Sequence, residues 1–284
     1  MILNMSESKS YREFHKDTDS EINSDSASDA NEIVKITRVT RNFVRRKKTF
    51  AAVDNVSFSL KSGEFAAIVG KSGNGKTTFI NIVAGLLKPS HGSVKICGCD
   101  ISSANCSDDE ISELRARNIG YVSQTHTLMP NLTVCANVML PMYILEDFDK
   151  AGGDTGNKSD KSTENTTESY MDKVVALLKK LDIEDLLWCY PKELSGGEVK
   201  RVMIARAMMT NPKLLIFDEP TGDLDSEHTL VVIDMLRDAA AKGAAVLVVT
   251  HDNQVADCAD RVYSMDSGVI TFAPQSTISN VAYF

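Results

Sequence analysis

The feature that most restricts how this chain can fold is the segment 70–77, which fits the pattern G-x-x-x-x-G-K-[ST]. A continuous apolar run, 65–69, precedes it, as expected for a strand buried on both faces, and an apolar helix is predicted over 79–87. In this setting glycines let backbone N–H groups surround a phosphate, and the helix N-terminus adds positive charge. A glycine-rich turn without a ligand is the weaker alternative. The predicted nucleotide-binding residues are Gly70, Lys71, Ser72, Gly73, Asn74, Gly75, Lys76, Thr77 and Thr78.

Four side chains in two segments have predicted chemical roles. Lys76 should reach the β- and γ-phosphates of a nucleotide, and Thr77 should ligate Mg²⁺. Asp218 and Glu219 end another apolar run, and ligands of α/β sheets bind at the carboxyl ends of strands. We therefore expect Asp218 to hold Mg²⁺, directly or through water, and Glu219 to orient or deprotonate an attacking water.

Two further polar residues follow predicted strands. His251 comes after the apolar run 244–250, and Gln124 comes after 119–123. Both should therefore lie at the same edge of the sheet. We expect His251 to contact a γ-phosphate, although a structural histidine is the alternative, and Gln124 to ligate Mg²⁺ or position water.

The segment 194–198, Leu-Ser-Gly-Gly-Glu, precedes a helix predicted to reach Met209. Ser195 is suited to be its N-cap, and Glu198 would complete a capping box, so the segment could simply start a helix. Glycines weaken the first turn of a helix, however. Close approach of a phosphate to the bare helix end would explain Gly196 and Gly197.

Strand patterns alternate with helical patterns along most of the chain, which favours an α/β fold with a mostly parallel sheet. No internal repeat is present, so the chain holds one such unit. Strands are predicted at 33–39, 53–60, 65–69, 94–97, 119–123, 213–217, 244–250 and 262–265, and further helices at 132–144, 170–181 and 227–242. Pro141 should kink or end the first of these helices.

The net charge of -8 is concentrated in two polar segments. Residues 1–31 form a predicted disordered acidic tail, and residues 147–169 a predicted mobile insertion loop. Outside residues 1–31 and 146–169 the chain is neutral, and its one dense basic run, 45–48, is typical of a solvated hairpin tip. The composition therefore gives no indication of a nucleic-acid partner.

No apolar run approaches the ~18 residues that cross a bilayer, and no signal-peptide pattern begins the sequence. We therefore expect a protein on the cytoplasmic side whose membrane role, if any, needs a partner. The six cysteines lack paired C-x-x-C spacing and are interpreted as reduced structural thiols. A metal site at Cys97 and Cys99 is a minor alternative, because no further ligands complete it.

The order of these motifs resembles the nucleotide-binding domain of ATP-binding cassette (ABC) ATPases. The Ser-Gly-Gly element is the discriminating feature, since other P-loop ATPases share the rest. The resemblance implies an ABC ATPase domain over 32–272, followed by a C-terminal tail, 273–284. Its fold would be a P-loop NTPase (RecA-like) core with a mostly parallel sheet, an N-terminal antiparallel β subdomain and a helical signature subdomain at about 125–210.

The same resemblance implies a homodimer, formed head to tail upon ATP binding, with two ATP sites at its interface. Each ATP would lie between the P-loop of one protomer and Ser195, Gly196 and Gly197 of the other. The segment 221–225 resembles the loop that crosses this interface, which assigns Asp225 to the site. Phe43 has the place of the aromatic residue that stacks on adenine, with Phe50 as the alternative.

The stretches 100–122 and 129–141 resemble those of a bacterial subgroup that includes lipoprotein-release, macrolide-export and antimicrobial-peptide-resistance ATPases. This implies an ATP-hydrolysing, Mg²⁺-dependent subunit at the cytoplasmic face of the membrane that powers a separate integral membrane permease. Met129, Leu132 and Val134 would either line a groove for the permease or belong to the core. The alternatives are a soluble ABC ATPase acting on the ribosome or DNA, and a binding module without turnover. Glu198, Lys200, Thr125 and His126 depart from the family's usual residues.

Overall fold

The computed structural model describes residues 31–125, 127–151 and 161–273. The predicted terminal tails therefore lie outside the described residues, apart from Asn31 and Ala273. In chain order the strands are β1 (Glu32–Arg45), β2 (Lys48–Lys61), β3 (Phe65–Val69), β4 (His91–Ile96), β5 (Cys99–Asp100), β6 (Ile119–Val122), β7 (Leu214–Asp218), β8 (Ala245–Val249), β9 (Arg261–Asp266) and β10 (Val269–Ala273). The helices are α1 (Lys76–Val83), α2 (Asp108–Asn118), α3 (Val134–Ala151), α4 (Lys161–Lys180), α5 (Gly196–Met208), α6 (Ser226–Ala241) and α7 (Asn253–Asp257).

The strands form two sheets. One has four strands in the order β2-β1-β4-β5, and its paired strands are antiparallel. The other has six strands in the order β10-β9-β3-β8-β7-β6, in which only the β9–β10 pair is antiparallel. The predicted α/β class with a mostly parallel sheet and an antiparallel subdomain is confirmed. The carboxyl ends of β3, β6, β7 and β8 consequently meet at one edge.

Alternate residues of the parallel strands face two different cores. In β7, Leu214 and Ile216 pack with α1 and the antiparallel sheet, whereas Leu215 and Phe217 pack with α3, α4, α5 and α6. All four side chains are at most 1% exposed. Because burying each such side chain stabilises the fold by about 1.5–3 kcal/mol, this two-sided burial holds the sheet between its layers.

The basic run predicted to be a hairpin tip is the turn between β1 and β2. Arg45 pairs with Lys48 across it, and Arg46 and Lys47 have φ values of 50° and 64°. Positive φ at both central residues is typical of two-residue hairpin turns. The strands predicted at 33–39 and 53–60 are parts of the two long strands that this turn joins.

The prediction of a loop over 147–169 is wrong at both ends of this range, where the structure has helices. Helix α3 continues through Pro141 to Ala151, and α4 begins at Lys161. Arg117 on α2 donates to Asp149, with Nη2 and Oδ1 2.6 Å apart, and so attaches the end of α3 to its neighbour. The start of α4 is polar and extends an apolar-striped helix, so hydrophobic periodicity could not reveal it. Residues 152–160 lie outside the described part of the chain.

Other differences are smaller. Helix α1 ends at Val83, short of the predicted 87, because Gly85 adopts a φ of 65° and the chain leaves the helix there. The short elements β5 and α7, together with α2 and β10, were not predicted. In the part of the chain that the structure describes, no helix is both long and apolar enough to cross a membrane.

A fully buried amide organises the start of α3. Asn137 is 0% exposed, and its Nδ2 donates to the carbonyl oxygens of Met129, Leu132 and Thr133 at 3.0–3.1 Å. Its Oδ1 accepts from the Met129 N–H at 2.7 Å. One side chain therefore satisfies the backbone of the turn that precedes the helix.

Replacing this amide should destabilise the protein. We expect Asn137→Leu, which keeps the number and branching of the side-chain heavy atoms, to lower the free energy of unfolding by about 2–4 kcal/mol, because buried backbone groups lose their partners. Urea denaturation followed by circular dichroism measures the change. The matched control is Asn118→Leu, which removes one 3.2 Å bond to Leu114 O and should cost about 1 kcal/mol or less. Equal effects of the two substitutions would contradict the role given to Asn137.

Candidate nucleotide-binding site

The loop between β3 and α1 is shaped by contacts with other strands. Gly75 caps α1 with a φ of 99°, and a Cβ at this position would overlap with the carbonyl oxygen of Ala52 on β2. Gly73 has a φ of 86°, but a Cβ there would meet nothing within 4 Å. The loop is thus tightly packed at its base and open at its tip, as a phosphate cradle requires.

Asn74 and Lys76 have different roles within this loop. The Asn74 Nδ2 donates to Met265 O at 3.0 Å and to Asp266 Oδ1 at 3.1 Å, so this side chain anchors the loop to β9. The Lys76 Nζ donates to the carbonyl oxygens of Gly70 at 2.5 Å and Lys71 at 2.9 Å. Burial lowers the pKa of Lys76, an effect that nearby carboxylates oppose.

The two residues predicted to hold Mg²⁺ on different elements are in contact. Thr77 Oγ1 donates to Asp218 Oδ2 at 3.1 Å, and Asp218 is 2% exposed. Burial raises the pKa of Asp218, and the charge of Glu219 adds to this, whereas the Thr77 hydroxyl and Lys76 oppose it. Gln124 is exposed and follows β6, the neighbour of β7, at the same edge of the sheet.

Glu219 and His251 form a pair that the sequence did not predict. The His251 Nδ1 lies 2.8 Å from Glu219 Oε2, and the His251 N–H donates to the same oxygen at 3.3 Å. The Glu219 side chain is 15% exposed and that of His251 is 77% exposed. Glu219 has a φ of 54° and donates its own N–H to Val249 O, which places it beside the end of β8. The carboxylate is thus largely enclosed, while much of the imidazole is open.

The capping box predicted at the signature segment is confirmed. Ser195 Oγ accepts from the Glu198 N–H, and the Ser195 N–H donates to Glu198 Oε2 at 2.7 Å. These bonds lower the pKa of Glu198. The structure also supplies a second reason for Gly197, because a Cβ there would lie only 3.1 Å from the carbonyl oxygen of Asp223. The glycine therefore lets α5 pack closely against the segment 221–225.

Asp225 is the N-cap of α6. It accepts from the His228 N–H at 2.9 Å, and its Oδ1 lies 2.8 Å from His228 Nδ1. These hydrogen bonds lower the pKa of Asp225. Its assignment to the nucleotide site stays a prediction, as does that of Ser195, Gly196 and Gly197.

Both candidates for the adenine contact lie together on the β1–β2 hairpin. Phe43 pairs with Phe50 across the strands, and their ring centroids are 6.1 Å apart. The Arg41 guanidinium lies 4.9 Å from the Phe43 centroid. Ala52, two residues beyond Phe50, abuts the phosphate loop at Gly75, so the aromatic pair belongs to the region of the hairpin beside that loop.

Lys200 is the residue that sequence reasoning noted only as a departure from the family. It is 2% exposed, which is rare for lysine. Burial lowers its pKa, and the carboxylates of Asp223, Asp218 and Glu219 oppose this change. Its position one helical turn after Gly197, which packs on the segment 221–225, was the signal that could have located it near these acids.

A glycine-rich loop between strand and helix, with enclosed acids at the end of another strand of the same parallel sheet, defines a P-loop nucleotide hydrolase. The family model described as "ABC transporter" matches residues 53–222. The chain therefore belongs to the ABC transporter family, and it is an ATP-hydrolysing cassette.

Several relatives are similar over most of this chain. The uncharacterised ABC transporter ATP-binding protein YknY of Bacillus subtilis is 33% identical over 84% of this chain and 95% of its own length. The lipoprotein-releasing system ATP-binding protein LolD of Buchnera aphidicola is 34% identical over 78% and 89%. The macrolide export ATP-binding/permease protein MacB of Burkholderia pseudomallei is 37% identical over 84% of this chain but only 33% of its own. The chain thus spans about a third of the length of MacB. It spans 44% of the length of another relative, ABC transporter H family member 2 of Dictyostelium discoideum.

Solved structures agree with the family. The dimeric structure of a bacterial ABC transporter cassette superimposes with a TM-score of 0.74 at 32% identity, covering 85% of this chain and 98% of that one. A post-hydrolysis ATP-binding cassette bound to ADP and Pi gives a TM-score of 0.75, also at 32% identity and with the same coverage. The resemblance to the lipoprotein-release and macrolide-export subgroup is confirmed by the similarity to LolD and MacB.

The raised pKa of Asp218 has a consequence for stability. An acid whose pKa is higher in the folded protein than in the unfolded chain destabilises the fold at any pH above its folded-state pKa. For Asp218 the effect disappears below about pH 4, where the carboxyl is protonated in the folded protein and in the unfolded chain alike. Asp218→Asn should therefore raise the melting temperature at pH 7.5, and the gain should shrink as the pH falls towards 4. Thermal melts across this range, without added nucleotide, measure it.

The control for this prediction is Asp225→Asn. The pKa of Asp225 is lowered, so its ionised form does not destabilise the fold, and the substitution should bring no gain at pH 7.5. A loss of stability in Asp218→Asn at neutral pH would refute the conclusion that the buried charge is costly.

Proposed function

We propose that this cassette hydrolyses ATP by in-line attack of water on the γ-phosphate and that it powers a separate integral membrane permease. The observation that carries the catalytic part is the enclosed carboxylate of Glu219, 2.8 Å from His251 and next in the chain to Asp218. A base and a phosphate-binding group are thereby held together at the edge of the sheet where P-loop proteins bind nucleotides.

The residues around Asp218 fit Mg²⁺. Hydroxyl, carboxylate and amide oxygens are the ligands that this ion accepts, and Thr77 and Asp218 already present two of them in contact. We assign these two residues and Gln124 to the metal. Bound Mg²⁺ would supply charge neutralisation at the phosphates, and Lys76 with the N–H groups of the loop would add to it.

Glu219 would orient or deprotonate the attacking water, and His251 would hold the γ-phosphate. Their contact supports this division, because the carboxylate fixes one imidazole nitrogen while most of the ring stays exposed for a ligand. Low exposure of Glu219 would also exclude competing solvent from the carboxylate.

We further propose that ATP binding closes a head-to-tail homodimer. Ser195, Gly196 and Gly197 at the start of α5 would contact the ATP held by the phosphate loop of the partner, using the helix N-terminus. The similar cassette solved as a dimer supports this arrangement. Asp225 would lie near the interface, and Phe43 would stack on adenine.

The sharpest test of the catalytic assignment is Glu219→Gln. The amide keeps the size and an acceptor oxygen but cannot take a proton, so we expect ATP binding and dimerisation to persist while turnover falls by about 10²–10⁴-fold. Phosphate release measures turnover, and size-exclusion chromatography with ATP measures dimerisation. Glu227→Gln, on the first turn of α6, serves as the control and should leave turnover unchanged. Turnover of Glu219→Gln close to that of the unchanged protein would remove Glu219 from this role.

We place the protein peripherally at the cytoplasmic face of the membrane. The similarity to proteins named for lipoprotein release and macrolide export supports a membrane partner rather than the ribosome or DNA. The three residues predicted for the permease groove differ in exposure: Val134 is fully buried, Leu132 is half-buried and Met129 is 47% exposed. Met129 is therefore the most accessible of the three to a partner.

Affinity purification from detergent-solubilised native membranes tests the partner. With a tag at the N-terminus, we expect an integral membrane protein to co-elute with ATPase activity. Met129→Glu should reduce its recovery, because a charge would enter an apolar contact, whereas Val269→Glu, at a similarly exposed position on β10, should not. Active protein that elutes alone or with ribosomes would refute the membrane assignment while leaving the ATPase intact.

A further inference from the structure

A cavity lies at the opposite end of the parallel sheet from Asp218 and Glu219. Its volume is about 510 Å³, within the usual range for ligand pockets. It opens between α4 and α6, and its lining includes the buried Leu215 of β7 and the exposed Lys213, which directly precedes that strand. Because the nucleotide site is at the carboxyl ends of the strands, the two sites are separated by the length of the sheet.

The cavity has an apolar floor. Leu215 and Met235 are buried, and Leu177 and Met208 are half-buried; together they line its inner surface. Methionine side chains adapt to ligands of different shape because they are flexible and polarizable. The floor therefore suits an apolar chain.

Basic side chains surround this floor. Lys173, Lys180, Lys213 and Lys242 line the cavity, together with one acid, Asp238. Among the residues that the structure describes, Asp238 pairs with Lys180, with 3.5 Å between Nζ and Oδ2, and no acid is paired with the other three lysines. The cavity thus carries an excess of positive charge beside an apolar surface.

Lys173 is the most enclosed of these lysines. It is half-buried on the same face of α4 as Leu177, one turn away, and burial alone lowers its pKa. An ammonium that is partly desolvated and has no opposite charge is destabilised, so an anion in the cavity would interact with it more strongly than with an exposed lysine.

We propose that this cavity binds a single-chain anionic amphiphile, with a carboxylate or phosphate monoester head near Lys173 and Lys213 and its apolar chain on the floor formed by Leu177, Met208, Leu215 and Met235. The lysines unpaired in the described part of the chain would attract the anionic head, and the apolar floor would contact the hydrocarbon chain of the ligand. The site is independent of the nucleotide-binding residues, so the proposal does not depend on the catalytic roles assigned above.

The test uses the full chain and four probes of known composition. Decanoate and decyl phosphate carry the two possible heads, decyl maltoside carries a neutral head, and inorganic phosphate is a head without a chain. Calorimetry measures affinity below the micellar concentration of each probe. Methyl NMR spectra, assigned with Met208→Leu and Met235→Leu, report whether these methionines contact the probe. We expect saturable 1:1 binding of at least one anionic decyl probe, with shifts of both methyl signals, and much weaker binding of the other two compounds.

Charge and shape variants complete the experiment. Lys173→Gln and Lys213→Gln should each weaken binding of the anionic probe by about tenfold, because a charged partner of the head is lost. Lys179→Gln, on α4 but outside the cavity, is the matched control and should bind normally. Ala176→Trp should block the chain site without changing any charge. Unchanged melting temperature and ATP affinity would show that each variant is folded.

The contrary results are equally definite. The proposal is overturned if no anionic decyl probe binds saturably below about 1 mM, a weak-binding limit on the affinity scale. It is also overturned if decyl maltoside binds as tightly, or if the lysine variants in the cavity behave like Lys179→Gln. A preference between decanoate and decyl phosphate would identify which head the cavity accepts.

Discussion

The turn from β3 into α1 is fixed by backbone oxygens from both sheets, and the nucleotide site depends on this constraint. The Ala52 carbonyl on β2 lies against Gly75, and the Met265 carbonyl on β9 accepts from Asn74. A loop whose N–H groups must stay directed at a ligand cannot use all of them in its own hydrogen bonds, so neighbouring strands have to hold its shape. The antiparallel subdomain thereby takes part in the geometry of the phosphate loop.

Charged side chains of the site are buried, and their burial lowers the stability of the fold. Asp218 and Lys200 are each 2% exposed, and burial shifts both pKa values towards the neutral forms. Their charges compensate each other only in part, and Lys76 adds a further cation. Such an arrangement is costly without ligand and favourable once phosphates and a metal bring their own charges, which is how stability is exchanged for function at active sites.

The elements predicted well from the sequence are those with strong local signals. The apolar runs 65–69 and 214–217, the capping box of Ser195 and the hairpin tip all appear as expected. The failures are at helix ends where the local signal is weak or misleading. The first turns of α4 have no apolar stripe, and α3 continues past Pro141 to Ala151, where Asp149 pairs with Arg117 on α2. Hydrophobic periodicity and the position of a proline therefore did not locate these helix ends.

The sequence by itself determined the class of fold and the phosphate loop, and it predicted which residues form the site. Its signals are local, because glycines, buried strands and acids at strand ends are recognised within a few neighbouring residues. Only the tertiary structure decided which of these residues touch. The pairing of Glu219 with His251 joins the ends of β7 and β8, and the burial of Lys200 results from the packing of α5 on the segment 221–225. The charged cavity between α4 and α6 likewise exists only once segments distant in sequence meet, since Lys173 and Lys180 come from α4 whereas Lys213 and Lys242 come from other parts of the chain.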